Sequence, residues 1–438
     1  MHPGFAFSRI GFFVLMNVAL AVSFGPTACA AGKEVILHGF TGGSDGSIPL
    51  GSLVMDSQGN LYGTTAYGGL SNPNCGKYCG TVYELSPSGS TWTKTILYEF
   101  TGGDDGYYPN AGLALDGHGN LYGTTYFGGG ENSNGTVFEL THESGAWRKQ
   151  IIHHFNTSTD GAGPDAGLVL DKEGNLFGTT QSGGTVGGDG GTVFELSPGA
   201  SGWSEAILHS FGGPGDGAFV QTGVVLDSAG NVYGTTSWGG TATNCEFSWG
   251  CGIVFELSPN SDGNWTENVL HDFDGGPYTT DGAAPETTPI FDSLGNLYGT
   301  TSYGGDCRCA ENGNGTVYEL TPNGDGAWTE NDIYYFAGGP SDGNNPNGDI
   351  VFDKAGNLYG TTSWGGNGGY SVCADRYCGT VYELSPAGGG WTEKIILNFG
   401  YRNGAYPSGV IIDSAGRLYG TTSDGGANPS GLAFEVVP

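Results

Sequence analysis

The stretch GNLYGTT at residues 59–65 recurs in close variants that begin at Gly59, Gly119, Gly174, Gly230, Gly295, Gly356 and Gly416. Successive copies lie 55 to 65 residues apart, and the rest of the chain repeats in phase with them. This spacing is typical of β-propeller blades and is too long for one coil of a β-helix. The sequence therefore predicts seven structural units.

Each unit contains four strand-like runs separated by Gly, Asn, Asp and Pro turns. In the second unit the runs are Gly112 to Asp116, Asn120 to Thr125, Gly135 to Leu140 and Trp147 to Phe155. Such runs indicate an antiparallel meander. We therefore predict an all-β, seven-bladed propeller with four antiparallel strands per blade, formed as a single domain by residues 31–438.

The two ends of the chain complement each other. Residues 35–40 (VILHGF) match the fourth run of a unit, whereas the last unit ends with residues 431–437 (GLAFEVV), which match the third run. Pairing of these two segments would complete the last blade and remove the exposed edges of an open array. We expect the N-terminal strand to close the ring in this way.

The first thirty residues have the features of a secretory signal peptide. A basic Arg9 precedes an apolar run at residues 10–24 and the small-residue site Ala28-Cys29-Ala30. No later stretch approaches the roughly 20 apolar residues that a membrane span needs. The protein is expected to be secreted, either extracellular or at the cell surface.

Eight further cysteines fall as four close pairs, each between the second and third runs of a unit. The pairs are Cys75/Cys79, Cys245/Cys251, Cys307/Cys309 and Cys373/Cys378. In an exported chain this pattern predicts local disulfides, although the connectivity of Cys307 and Cys309 stays open. Zinc is the alternative, but pairs in different blades do not readily form tetrahedral sites.

The formal net charge of −31 repels phosphate backbones and anionic lipids. Nucleic-acid and membrane-surface functions are therefore disfavoured. A polysaccharide or an extracellular protein is the expected partner, and the chain is expected to be a monomer.

The two faces of the predicted ring differ in sequence. The turns between the first and second strands are nearly uniform, and their Asp residues are interpreted as turn formers. The opposite face, which we call the loop face, carries the variable loops with the cysteines and the Asp-Gly loops between blades. Because variable loops on a rigid scaffold carry most binding sites, we place ligand binding there. The Asp-Gly positions are Asp45, Asp105, Asp160, Asp216, Asp281 and Asp342, with Asn403 in the last unit.

Three sets of equivalent positions are candidate sites. The channel ring precedes the first strand of each blade and is expected at the mouth of the central channel, where its polar members either bind a ligand or solvate the entrance. It consists of Leu50, Asn110, Asp165, Gln221, Glu286, Asn347 and Ser408. The second set ends the second strand, where packing between blades is the preferred interpretation and sugar stacking the alternative. It consists of Tyr67, Phe127, Ser182, Trp238, Tyr303, Trp364 and Asp424.

The third set lies on the fourth strand, two residues before its terminal Phe. It consists of His38, Tyr98, His153, His209, His271, Tyr334 and Leu397. Because each histidine belongs to a different blade, we interpret the set as packing residues and predict no metal site. Calcium at the Asp-Gly turns is a weaker alternative, since no stretch matches the D-x-[DN]-x-[DN]-G loop.

The YGTT..GG block, the GTVYEL-like strand and the DG..P loop together resemble a family of bacterial exported proteins built from tandem GloVer-type repeats. The resemblance covers nearly all of residues 35–438. It implies a propeller-like protein that is extracellular or displayed at the surface, and it implies no reaction and no catalytic residues.

We therefore predict a secreted, non-catalytic binding or display module that requires no cofactor. Ligand-binding candidates are Asn110, Asp165, Gln221, Glu286 and Asn347 for polar contacts, with Trp238, Tyr303 and Trp364 for stacking. The alternative is an extracellular propeller enzyme such as a lactonase, lyase or glycoside hydrolase, with Asp165 and Glu286 as paired carboxylates.

Overall fold

The computed structural model describes residues 32–75, 78–130, 132–156, 159–186, 190–213, 215–242, 245, 249–275, 280–305, 313–324, 326–368, 373 and 377–438. The predicted signal peptide and the Cys307/Cys309 pair lie outside these residues. Three other predicted disulfides are present, namely Cys75–Cys79, Cys245–Cys251 and Cys373–Cys378.

The described residues form seven antiparallel blades, one per repeat, which confirms the predicted propeller. The strands of blade 1 are Val54–Met55, Leu61–Thr65, Thr81–Ser88 and Thr91–Glu99. Those of blade 2 are Ala114–Leu115, Leu121–Thr125, Thr136–Glu143 and Ala146–His154. Those of blade 3 are Val169–Leu170, Leu176–Thr180, Thr192–Gly199 and Gly202–Ser210. The short 3-10 helices are Gly43–Asp45, Pro73–Cys75, Gly103–Asp105 and Gly339–Ser341.

Blades 4 to 6 carry additional short strands where the chain enters the blade. Blade 4 contains Val225–Leu226, Val232–Thr236, Ile253–Pro259 and Trp265–Asp272, with Gly217–Ala218 paired to Trp238–Gly239. Blade 5 contains Gly282–Pro285, Ile290–Phe291, Leu297–Gly304, Thr316–Pro322 and Trp328–Tyr335. Blade 6 contains Gly343–Pro346, Val351–Phe352, Leu358–Gly365, Thr380–Ala387 and Gly390–Asn398.

Blade 7 is assembled from both ends of the described chain. Its strands are Ala405–Ile412, Leu418–Asp424, Leu432–Val437 and Lys33–Gly39. The N-terminal strand pairs antiparallel with the C-terminal one, with Val35 opposite Glu435 and Ile36 opposite Phe434. This is the pairing that the phase of the repeat indicates, and it covers the free edge of the last blade.

The glycine of each YGTT motif lies opposite an aromatic residue of the third strand. Gly63 pairs with Tyr83, and a Cβ on Gly63 would lie 2.6 Å from the Tyr83 hydroxyl oxygen. The equivalent pairs are Gly123/Phe138, Gly178/Phe194, Gly234/Phe255, Gly299/Tyr318, Gly360/Tyr382 and Gly420/Phe434. The aromatic side chain covers the glycine, which explains why the YGTT motif and the aromatic residue of the GTVYEL-like strand recur together.

The same aromatic ring contacts the terminal Phe of the preceding blade. Phe40 of the N-terminal strand packs against Tyr83 of blade 1 with ring centroids 5.2 Å apart, and both side chains are fully buried. The other pairs are Phe100/Phe138, Phe155/Phe194, Phe211/Phe255, Phe273/Tyr318, Phe336/Tyr382 and Phe399/Phe434. An edge or tilted aromatic contact therefore joins each blade to the next.

Seven equivalent residues, one per blade, have left-handed backbone conformations just before the chain reaches the channel. Tyr108 has φ 65°, and its N–H donates to the Cys79 carbonyl of the preceding blade at 2.9 Å. The others are Ile48, Gly163, Phe219, Ala284, Asn345 and Tyr406. For a non-glycine residue this conformation costs on the order of 1 kcal/mol. The hydrogen bond to the neighbouring blade recurs at all seven positions and offsets that cost.

The first strand of blade 2 is shorter than predicted, since only Ala114–Leu115 of the run Gly112 to Asp116 is a strand. Crowding at the axis is the physical reason. A Cβ on Gly51 would lie 2.4 Å from the Ala111 backbone of the next blade. The chain therefore passes the channel in an irregular conformation before it pairs.

We expect Gly135→Ala to destabilise the protein more than Gly119→Ala. Both glycines have positive φ, but a Cβ on Gly135 would lie 2.5 Å from Pro164 Cδ of the next blade, whereas Gly119 has no atom within 4 Å. The conformational cost of roughly 1 kcal/mol is common to both variants, and the clash adds about 1–3 kcal/mol to the first. Urea unfolding of the two variants measures the difference, and equal losses would contradict this account of the blade contact.

Candidate functional site

The channel ring surrounds one cavity of about 130 Å³ at the centre of the propeller. All seven of its residues line this cavity, as their repeat position indicates. A second tier, which the sequence reasoning missed, adds Ser52, Thr288 and Asp349. The Ser52 hydroxyl donates to Asp349 Oδ2 at 2.6 Å. These residues stand two positions after the channel ring, so the repeat phase would have identified them.

Asp165 is the channel carboxylate with the most perturbed environment. Burial raises its pKa to about 6, although the Asn110 amide opposes the shift by donating to Asp165 Oδ1. The Oδ1 atom of Asn110 is itself buried without a hydrogen-bond partner. The pair therefore presents an acceptor that no protein group satisfies.

Glu286 is a second buried carboxylate of the channel ring. Burial raises its pKa, and the Ser302 hydroxyl, which donates to Glu286 Oε2 at 2.7 Å, opposes the shift. Asp165 and Glu286 thus line the same cavity with elevated proton affinities. Such groups accept or donate protons nearer to neutral pH than ordinary carboxylates.

A larger cavity of about 490 Å³, which we call the aromatic pocket, adjoins the channel ring on the loop face. Its aromatic lining consists of Tyr67, Tyr78, Tyr107, Tyr108, Tyr126 and Phe127. Its polar lining includes Asn110, Asp165 and Gln181, and Cys75 of a disulfide borders it. The pocket therefore combines broad apolar surfaces with hydrogen-bonding groups.

The aromatic side chains hold one another in place. Tyr107 stacks on Phe127 with ring centroids 5.2 Å apart, and Tyr108 packs edge-on against Tyr67 at 5.0 Å. The Tyr126 hydroxyl donates to Gln181 Oε1 at 2.5 Å. Tyr67 and Phe127 are nevertheless 42% and 38% exposed. The Tyr67–Tyr108 contact joins blade 1 to the segment that leads into blade 2, while part of the Tyr67 and Phe127 side chains stays open to the pocket.

The stacking candidates Trp238, Tyr303 and Trp364 line neither of these two cavities. Trp238 stacks on Phe219 at 4.2 Å and on the exposed Trp249 at 6.4 Å. Tyr303 packs at the edge of a hydrophobic core cluster. The structure therefore separates these three residues from Asn110 and Asp165, and their predicted role in binding stays a prediction.

The histidines of the third set face acidic residues across the boundary between blades. Nε2 of His153, in blade 2, lies 3.8 Å from Asp160 Oδ2 and 3.2 Å from Glu205 Oε1 of blade 3. The equivalent groups are His209/Asp216/Glu267 and His271/Asp281/Glu330, and the ligand-type atoms of each group lie within 4.8 Å of one another. The sequence reasoning compared the histidines only with each other and so missed these neighbours.

Burial raises the pKa of Glu205 to about 8, and nearby Asp160 adds to this shift. Burial also raises the pKa of Glu267 and Glu330 to about 7, with Asp216 and Asp281 adding to the respective shifts. The neighbouring histidines His209 and His271 act in the opposite direction. In each group, therefore, two carboxylates lie close enough to repel each other when both are ionised.

The Asp-Gly loops and the uniform turns have clear structural roles. Asp105 accepts hydrogen bonds from the Thr101 N–H at 2.7 Å and from the Tyr98 hydroxyl at 2.7 Å. On the opposite face Asp56 accepts from the Gln58 and Asn60 N–H groups at 2.8 and 2.9 Å. These carboxylates cap backbone groups, as expected for turn formers. Calcium binding by the Asp-Gly loops stays a prediction.

Comparisons with other proteins agree with the architecture. A fungal alcohol oxidase in complex with copper shares 14% identity over 93% of this chain and 76% of its own, with a TM-score of 0.54. A proposed 6-phosphogluconolactonase from Bacteroides uniformis shares 14% identity over 85% of this chain and 90% of its own, with a TM-score of 0.51. At such identities the likeness concerns the fold alone.

PorZ, a surface component of the type IX secretion system of Porphyromonas gingivalis, shares 15% identity over 91% of this chain, with a TM-score of 0.51. This chain covers 47% of PorZ. No curated protein matches the sequence significantly. Within the part of the chain that the structure describes, no helix is long and apolar enough to cross a bilayer.

The Gloeobacter/Verrucomicrobia repeat model matches residues 26–248 and 242–438, which together span both the aromatic pocket and the seven blades. The chain therefore belongs to the Gloeobacter/Verrucomicrobia repeat family.

Proposed function

We propose that this protein is a secreted, non-catalytic propeller that binds a polysaccharide on its loop face. The aromatic pocket carries the proposal. Its exposed ring faces suit the apolar C–H faces of sugars, while Asn110, Asp165 and Gln181 suit the hydroxyl groups at the sugar edges. Its volume of about 490 Å³ falls within the roughly 300–1,000 Å³ of known small-molecule sites.

The disulfides and the extensive loops support an extracellular role. Cys75–Cys79 fixes the loop that contributes Cys75 and Tyr78 to the pocket. A loop fixed in this way loses less conformational entropy when a ligand binds. A protein ligand on the same face is the alternative outcome of the binding experiments.

The enzyme alternative depends on one observation, the two protonatable carboxylates Asp165 and Glu286 in the channel. The channel cavity is only about 130 Å³, which is below the size of typical substrate sites. The larger aromatic pocket is lined by Asp165 but not by Glu286, so a substrate bound there would meet only one of the two carboxylates. Binding accounts for more of the lining residues than catalysis does.

We expect Tyr67→Ala and Phe127→Ala each to weaken saccharide binding about tenfold, because each removes an exposed ring worth about 1–1.5 kcal/mol. A polysaccharide array identifies the ligand, and calorimetry measures its affinity for each variant. Trp249→Ala is the matched control, since Trp249 is 66% exposed but lies outside the aromatic pocket. Retained affinity in both pocket variants, or binding only to proteins, would contradict the proposal.

Asp165→Asn should stabilise the free protein at pH 7.5 and weaken ligand binding. The folded-state pKa of about 6 exceeds the ordinary value of about 4. Ionised Asp165 therefore destabilises the fold fully above pH 6, and this effect disappears below about pH 4. Thermal unfolding at pH 7.5 and below about pH 4 measures this difference in stability. The exposed Asp104→Asn is the control for the lost charge. Lower stability of Asp165→Asn at pH 7.5 would indicate a structural carboxylate.

If the protein were instead an acid–base catalyst, both Asp165→Asn and Glu286→Gln should abolish turnover of lactone and glycoside substrates. We expect the unmodified protein to show no turnover of these substrates, so that the two variants have no activity to abolish. Activity that both substitutions eliminate while the fold is retained would favour the enzyme and contradict a purely binding role.

A further inference from the structure

A lysine ammonium group occupies the boundary between blades at two of the seven interfaces. Each lysine stands on the fourth strand of its blade, six residues before the terminal Phe. Lys94 Nζ lies 3.0 Å from Asp45 Oδ1 and 4.9 Å from the centre of the Phe40 ring. Lys149 Nζ lies 2.8 Å from Asp105 Oδ1 and 4.7 Å from the Phe100 ring. These side chains are only 6% and 3% exposed, so the interface accommodates a buried cation.

At the next three interfaces the same position is a glutamate. Glu205, Glu267 and Glu330 replace the lysine, while the Asp of the Asp-Gly loop and the terminal Phe are retained. A histidine stands at the third-set position in all three cases. These three interfaces therefore have no lysine ammonium group and instead bring together two carboxylates and one imidazole.

These three interfaces contain buried atoms without hydrogen-bond partners. Oε1 of Glu205, Glu267 and Glu330 has essentially no exposed surface and no hydrogen-bond partner. His153 Nε2 is likewise unpaired, although Glu205 Oε1 is only 3.2 Å away, because the geometry does not form a hydrogen bond. Buried polar atoms in proteins are almost always paired with protein, water or an ion. A ligand that accepts lone pairs would satisfy all of them.

We propose that His153/Asp160/Glu205, His209/Asp216/Glu267 and His271/Asp281/Glu330 each bind a divalent transition-metal ion of the zinc class. In each group the metal would take the place that a lysine ammonium group occupies at the two preceding interfaces. Each metal would tie one blade to the next, with the imidazole and the loop Asp on one side and the Glu on the other.

The donor set and its spacing support zinc over calcium. Imidazole suits zinc and similar ions, whereas calcium prefers oxygen ligands alone. Nε2 lies 3.3 Å from the loop carboxylate in both the His209 and the His271 groups. Tetrahedral zinc with bonds of about 2.0–2.1 Å separates its ligand atoms by about 3.3 Å. Small side-chain movements would therefore complete each site.

The remaining two interfaces lack the imidazole. Tyr334 donates to Asp342 at 3.1 Å beside Glu393, and Asn403 donates to Glu34 Oε2 at 2.9 Å. Oε1 of Glu393 and Oε1 of Glu34 are also buried without a hydrogen-bond partner, but no histidine stands beside them to complete a metal site. These two interfaces supply internal controls for the three proposed sites.

The test uses the purified protein after removal of metals by chelation, with zinc chloride as the probe. We expect three zinc ions per chain by calorimetry and elemental analysis, and a higher unfolding temperature in zinc. Each of Glu205→Lys, Glu267→Lys and Glu330→Lys should remove one ion while retaining the fold, since lysine is native at the equivalent position. Glu393→Lys is the matched control and should leave three ions bound.

His153→Gln, His209→Gln and His271→Gln repeat the test without a change of carboxylate charge, should a lysine variant fail to fold. No zinc retained at micromolar concentration, or a stoichiometry that none of the six variants lowers, would overturn the proposal. Displacement of zinc by excess calcium would also overturn it, because the imidazole would then have no role. Saccharide binding that persists in the variants would leave the proposed function unaffected.

Discussion

The aromatic contact between adjacent blades is the interaction on which the rest of the structure depends. Each pair joins a terminal Phe to an aromatic residue of the next blade, and that residue in turn covers the glycine of a YGTT motif. Since the contact lies between blades, no blade completes its own core. Phe40 supplies the partner of Tyr83 from the N-terminal strand, so joining the chain ends also completes the core of blade 1. Closing the ring of blades and completing the hydrophobic core of blade 1 therefore depend on the same strand.

This framework explains why the chain tolerates unusual geometry near the axis. Left-handed Tyr108, for example, is held by a hydrogen bond to the preceding blade, and Pro109 packs on Gly80 there. The next residue belongs to the channel ring. Conformational strain near the channel is therefore a regular consequence of blade packing, and it turns Tyr108 into the aromatic pocket beside Asn110.

The repeat phase predicted the features that all blades share, but it did not predict the contacts between side chains of neighbouring blades. Blade number, strand order and the convergence of Asp165 and Glu286 on one channel follow from equivalent positions in equivalent units. Tyr107 and Tyr108 escaped notice because the residue types at their positions differ from blade to blade, although the positions themselves repeat. The Glu205 partner of His153 lies on the next blade, and only the exchange of Lys149 for Glu205 at one repeat position could have indicated it.

The same exchange shows how a symmetric ring acquires local chemistry. Six of the seven interfaces offer an aspartate beside the aromatic contact, and a single position on the fourth strand decides whether such an interface carries its own cation or two acids. The aromatic pocket arises in the same way, because Tyr107 and Tyr126 stand at positions where the other blades have small residues or an amide side chain. Because the pocket lies beside the axis and the histidine groups lie on the fourth strands, substitutions can change one without the other. Ligand recognition and reinforcement of the blade boundaries are therefore separable functions of one scaffold.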